Sequence, residues 1–174
     1  MLNVGKPPPL TARLRFVTTS TSFISRLIRF DTHGSVSHVE AVMPDGSIIA
    51  SLMGSGVQRL AGDYCQTNTM QIIVDLHMTW EMYAAWQHFL ESRIGWPYDW
   101  KDFWGLVADF DEHSQGCLIC SALQVDALRH CLYFPRPLAQ KYHFVTPVVL
   151  LMMLQALPLS ECIVHEPEYS AILP

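Results

Sequence analysis

Val36-Ser37-His38-Val39-Glu40-Ala41-Val42-Met43 runs into Pro44-Asp45-Gly46 and then into Ser47-Ile48-Ile49-Ala50-Ser51. The first eight residues alternate loosely between apolar and polar, the last five are β-compatible, and Pro-Asp-Gly between them is turn chemistry. The stretch therefore predicts a β-hairpin. A strand sends alternate side chains to one face, so His38, Glu40 and Val42 share a surface, with the imidazole and the carboxylate about 7 Å apart. Downstream, Gly54-Ser55-Gly56-Val57 supplies a bend, and Met70 to Leu76 is a further strand rich in β-branched residues. Upstream, Phe16 to Thr19 is β-compatible, while Phe23-Ile24 and Leu27-Ile28 are spaced for a short helix. Order is expected from about Leu14, because Lys6-Pro7-Pro8-Pro9 lacks the backbone donors that a helix or a central strand uses.

The second half of the chain reads as helical. Thr79 is an N-cap with Glu81 in the first turn, and Trp80, Tyr83, Ala84, Trp86, Phe89 and Leu90 recur at helical spacing until Gly95, which predicts a helix over 79–94. Trp100 to Phe110 suits a short helix. Cys117 to Leu132 is apolar nearly all round and predicts a central helix. Thr146-Pro147, a cap followed by a first-turn proline, opens a last helix over about 147–156. The pattern is that of an α+β domain, a central antiparallel sheet packed against helices. With 174 residues a single core is expected: an extended lead-in over 1–13, the domain over 14–157 and a tail over 158–174.

Composition narrows the function. Half the residues are apolar and 16% are charged, which excludes a disordered chain and leaves apolar surface for a partner or ligand. The net charge of -5, from 11 Lys+Arg against 16 Asp+Glu, offers no footprint for a phosphate backbone, so nucleic acid is not the expected partner. The N-terminus has prolines where a secretory signal would be continuously apolar, which points to a cytoplasmic location. The longest apolar run, Val148 to Leu154 extended to Leu157, covers about ten residues where a bilayer needs about 20, so it reads as a buried helix and not as a membrane span. Five cysteines at irregular spacing form no disulfide framework.

Two residues carry chemistry. Cys120, in Gly116-Cys117-Leu118-Ile119-Cys120-Ser121-Ala122-Leu123, stands near a helix start, whose partial positive charge favours a thiolate. Free cysteines are more often small buried hydrophobes, and Cys117-x-x-Cys120 could be half of a zinc site. His113, His130 and Cys131 do not complete a recognisable ligand set, so neither metal nor other cofactor is expected. His38 is the second residue. A lone strand histidine is commonly structural, yet a thiol at a helix start and an imidazole on a strand are the nucleophile and base of a cysteine hydrolase.

Ser37-His38-Val39-Glu40 before a hairpin, the Gly-Ser-Gly-Val bend, Gly95-Trp96-Pro97-Tyr98-Asp99-Trp100, Cys120-Ser121-x-Leu123 and Val145-Thr146-Pro147 before an apolar helix follow one another in this order. Over about residues 14–157 the chain thereby resembles the circularly permuted papain-like hydrolases of the NlpC type, the YiiX-like proteins, with the lecithin:retinol acyltransferase group as a more distant relative. The resemblance implies a permuted papain-like fold in which Cys120 is the nucleophile and His38 the general base, with Cys117 the lesser candidate.

The chain departs from that pattern at Ala122, where the family commonly has Glu, and in the strand after the histidine, which usually bears a polar residue that orients the imidazole. A two-residue Asp45-Gly46 turn would set Ser51 opposite Glu40, whereas a three-residue turn sets Ala50 there. Ser51 or Glu40 as orienter, a bare dyad and a decayed site all stand as readings. Tyr98 is a pocket residue with packing as its alternative role.

The implied activity is hydrolysis of an amide or related acyl bond through a Cys120 thioester, with peptidoglycan-derived peptides as the substrate class. An acyltransferase or lipid-acyl hydrolase uses the same parts, and an inactive papain-like binding or assembly module keeps the fold without them. Delivery to a cell wall or a virion is compatible with all three. Replacing Cys117 by Ser is expected to leave electrophile labelling of Cys120 intact. Loss of all labelling in a folded Cys117→Ser protein would move the nucleophile to 117.

Overall fold

A computed structural model describes residues 10–19, 35–64, 68–98, 119–134 and 145–169. The helices expected over Phe23 to Ile28 and Trp100 to Phe110, and Cys117 itself, lie outside these residues. In chain order the strands are β1 (Leu10–Thr19), β2 (His38–Val42), β3 (Ile48–Leu52), β4 (Gly56–Leu60), β5 (Asn68–Met78), β6 (Cys162–Val164) and β7 (Glu168–Tyr169). The helices are α1 (Trp80–Ser92), α2 (Cys120–His130) and α3 (Pro147–Gln155), the last two elements before β6. The strands form one antiparallel sheet in the order β4-β3-β2-β1-β5-β6, with β7 also paired to β5.

β1 is the spine of the sheet, bonded to β2 on one side and to β5 along its whole length on the other. Its sequence alternates strictly from Thr11: Ala12, Leu14 and Phe16 are buried, while Thr11 and Arg13 are exposed. The strand begins at Leu10, inside the stretch read as lead-in. The two arginines of this strand have cross-strand partners in the sheet. Arg13 faces Asp75 of β5, whose carboxylate accepts its Nε at 2.7 Å and its Nη2 at 3.0 Å, and Arg15 faces Glu40 of β2. The residues after 157 are also more than a tail. Cys162–Val164 pairs with Leu76 to Val74 and Glu168–Tyr169 with Gln71 and Met70, so the chain's end completes the sheet edge.

One face of the sheet is apolar and carries the helices. Leu14, Phe16, Val39, Ala41, Val74 and Leu76 meet Trp86, Phe89 and Leu90 of α1, Ala122, Leu123 and Leu128 of α2, and Leu150 and Leu154 of α3. Each such side chain contributes about 1.5–3 kcal/mol when fully buried, which is why the helices settle on this face and leave the arginines on the other. Capping fixes where the helices start. The Thr79 hydroxyl accepts Met82 N–H at 3.3 Å and the Thr146 hydroxyl accepts Val149 N–H at 3.1 Å, matching the caps read from sequence. α2 starts at Cys120, later than the expected 117, with Ile119 extended before it.

The hairpin takes the three-residue turn. Met43 N–H bonds Ser47 C=O at 2.8 Å, Gly46 adopts φ +79°, and the ladder pairs Val42 with Ile48 and Ala41 with Ile49. At the other side of β3, the outer edge of β4 is covered by the segment after α1: Val57 N–H donates to Trp96 C=O and Gly95 N–H to Val57 C=O, each at 2.8 Å. That close approach requires Gly56, at φ +73°, since a Cβ there would run into the Trp96 carbonyl. Gly56→Ala should lower stability by about 1–3 kcal/mol, read as a drop in the urea midpoint at unchanged slope.

Candidate active site

β2 pairs with β1 from His38 to Val42, but with β3 only through Ala41 and Val42. Beyond Ala41 the two strands part, and backbone groups that a continued ladder would satisfy need other partners. The first turn of α2 supplies one. The Cys120 sulfur accepts the Val39 N–H, and one turn further on Gln124 Nε2 donates at 3.4 Å to the C=O of Ile49, the last β3 residue paired to β2. The helix therefore presents its first residue in the gap between the strands, where the His38 imidazole hydrogen-bonds the thiol. Cys120 and His38 are thus brought together, although 82 positions separate them (120 minus 38).

The electrostatics of this thiol differ from those of the other free cysteines among the described residues. Burial alone would raise the Cys120 pKa. It is nevertheless held below the ordinary value by the charge and hydrogen bond of His38 and by the N–H groups of Val39 and Ser121, the latter belonging to the helix's own first turn. Cys131 and Cys162 lack this company. Burial pushes both up, Cys162 to about 11 with Asp75 and Glu161 adding to the effect. They are the small buried hydrophobes that most free cysteines are.

Behind His38 lies a buried carboxylate. Glu40 is fully inaccessible, and its Oε2 stands 3.7 Å from His38 Nε2. The same Oε2 accepts the Tyr64 hydroxyl at 2.8 Å, while Oε1 forms an ion pair with Arg15 Nε. Arg15 is anchored in turn by donating Nη1 to Gly62 C=O at 3.1 Å. A carboxylate without solvent needs such partners, because an uncompensated buried charge costs several kcal/mol.

Of the two orienting candidates, the structure places Glu40 beside His38. The three-residue turn aligns Ala50 with Glu40 and so turns Ser51, which is buried and paired with Val57, to the opposite face. Tyr98 packs in the apolar core cluster. Arg15 and Tyr64 were not read from the sequence as site residues. Strict alternation through Ala12, Leu14 and Phe16 would have put Arg15 on the polar face, but nothing local marks Tyr64, which arrives through the turn after β4.

No protein-family model matches this chain, and no curated protein matches it. Among solved structures it is similar to the metalloprotein YiiX from Escherichia coli O157:H7 (DUF1105), at a TM-score of 0.57 and 19% sequence identity over 90% of this chain and 89% of that one. The chain therefore has a YiiX-like fold. Among the described residues no three His, Cys, Asp or Glu side chains gather as a metal site, and no helix is long and apolar enough to cross a membrane.

Arg15→Met should destabilise the protein by about 3–5 kcal/mol, because it leaves the Glu40 carboxylate buried without its cation. The double replacement Arg15→Met with Glu40→Leu should recover most of the loss in the same denaturant titration. Additive losses would show that the pair is not coupled.

Proposed function

We propose that this chain is a permuted papain-like cysteine hydrolase that cleaves an amide or related acyl bond through a thioester on Cys120. One observation carries the reading: the thiol hydrogen-bonded to His38 has its pKa lowered despite burial, at the first residue of a helix. The YiiX-like fold and the order of His38 strand before Cys120 helix support it.

The chemistry follows from the contacts. His38 Nε2 faces Glu40, which leaves Nδ1 for the sulfur. The proton passes from Cys120 to His38, and the thiolate attacks the substrate carbonyl carbon. As the tetrahedral intermediate collapses, the imidazolium gives its proton to the leaving amine or alcohol and a thioester remains on Cys120. His38, now neutral, takes a proton from water, the hydroxide attacks the thioester, and the acid product leaves with the thiolate restored. The Val39 and Ser121 N–H groups hold the sulfur anion between turnovers. Peptides derived from peptidoglycan are the substrate class that the family resemblance suggests, and acyl transfer to an acceptor other than water needs no additional catalytic group.

The sign of the pH dependence is fixed by the lowered thiol. An unfolded cysteine of pKa about 8.5 is less than about one per cent ionised at pH 6. The native protein should therefore react with iodoacetamide at pH 6 far faster than the unfolded chain, and the advantage should close above about pH 9, where both are thiolates. The excess should vanish in Cys120→Ala and fall sharply in His38→Ala. Turnover of a peptidoglycan stem peptide, or of a fatty-acyl thioester, that Cys120→Ala abolishes would establish the hydrolase and choose its substrate class. Native labelling no faster than unfolded, with neither substrate turned over, would leave a binding module.

A further inference from the structure

The residue that orients a catalytic imidazole is expected on the neighbouring strand, yet β3 offers Ala50 at that place and sends Ser51 to the other face. A carboxylate near His38 comes from its own strand, two residues on. Backbone geometry brings residues i and i+2 of a strand to one face at fixed spacing, so the position of Glu40 relative to His38 does not depend on a register between strands. The carboxylate's two oxygens have different tasks. Oε1 is held by Arg15 from β1, and Oε2 lies between two donors, the Tyr64 hydroxyl at 2.8 Å and His38 Nε2 at 3.7 Å. The shorter distance is a hydrogen bond and the longer is not, so in this arrangement Tyr64 has the oxygen.

We propose that Glu40 is the positioning residue for His38 and that Tyr64 is a second positioning residue, which holds Glu40 Oε2 back from the imidazole and so limits how strongly the carboxylate favours the imidazolium. This rests on the reading of His38 as the base of the Cys120 site. A general base must give up its proton as well as take it, and a buried carboxylate bonded directly to the imidazole would keep it protonated. Dividing the carboxylate among Arg15, Tyr64 and His38 weakens that hold while the ring stays aimed at the sulfur. Among the described residues, the charged and titratable groups facing the imidazole are Glu40 on its own strand, Cys120 from α2 and, through Glu40, Arg15 from β1 and Tyr64 from the turn after β4.

The test uses Cys120→Ala as background, so that only the imidazole titrates, and follows the 15N shifts of His38 with pH. Glu40→Gln keeps the shape but removes the charge, and should lower the His38 titration by about one pH unit, about tenfold less imidazolium at a fixed pH above the midpoint. Tyr64→Phe removes only the competing hydroxyl and should move the titration the opposite way, by about three- to tenfold more imidazolium. A structural role alone predicts no such pair of opposite shifts. An unmoved titration in Glu40→Gln, or an unmoved or lowered one in Tyr64→Phe, overturns the proposal, and if Glu40→Gln does not fold, Tyr64→Phe decides it. Because His38 is read without the thiol, failure of the hydrolase reading, seen as slow labelling of Cys120 in the unaltered protein, is a separate result.

Discussion

Where β2 and β3 part company beyond Ala41, Val39 exposes an N–H that no strand satisfies, and the Cys120 sulfur accepts it. The seating of α2 depends on that vacancy in the ladder. Gln124 reaches Ile49 C=O one turn later, and the apolar side of the helix closes over Val39 and Ala41. The site is thus a by-product of satisfying backbone groups, and the cost of an unpaired buried N–H is what keeps it in place.

The opposite face of the sheet answers a different constraint. It carries two arginines on the central strand, and each is matched across the ladder by an acid, Arg13 by Asp75 and Arg15 by Glu40. Toward the β5 side the acid is buried but its cation is open to solvent: burial would raise the Asp75 pKa, but Arg13 and His165, whose Nε2 lies 2.9 Å away, hold it lowered. Toward the β2 side the acid is sealed in, and the turn after β4 is recruited to it through Gly62 and Tyr64. The same cross-strand device therefore yields an ion pair with a solvent-exposed arginine at one place and the floor of a candidate catalytic centre at the other.

The three cysteines among the described residues show how far environment outranks residue type. Cys131 ends α2, and Cys162 lies in β6 among Tyr133, Asp75 and Glu161, surroundings that oppose ionisation. Cys120 is buried as they are, at 7% exposure, but it has an imidazole and two backbone donors. Burial alone therefore does not set the direction in which a buried thiol is shifted, whereas the donors around it do.

Local patterns determined much of the fold from sequence: the hairpin, the Thr79 and Thr146 caps, the helices they start and the strand around Met70 to Leu76. These depend on residues within a few positions of one another, where periodicity and capping chemistry operate. Three features depended on partners distant in sequence. β1 begins at Leu10 because Arg13 and Arg15 find acids on other strands; Cys162–Val164 and Glu168–Tyr169 are strands because β5 offers an open edge; and the choice between Ser51 and Glu40 required the hairpin's actual turn. Tyr64 was invisible for the same reason, having no meaning until the turn after β4 is laid against Glu40. A one-residue change of register exchanges the faces of a strand, so the sequence could single out Cys120 and His38 as a candidate pair, but only the folded sheet could decide which group stands behind the imidazole.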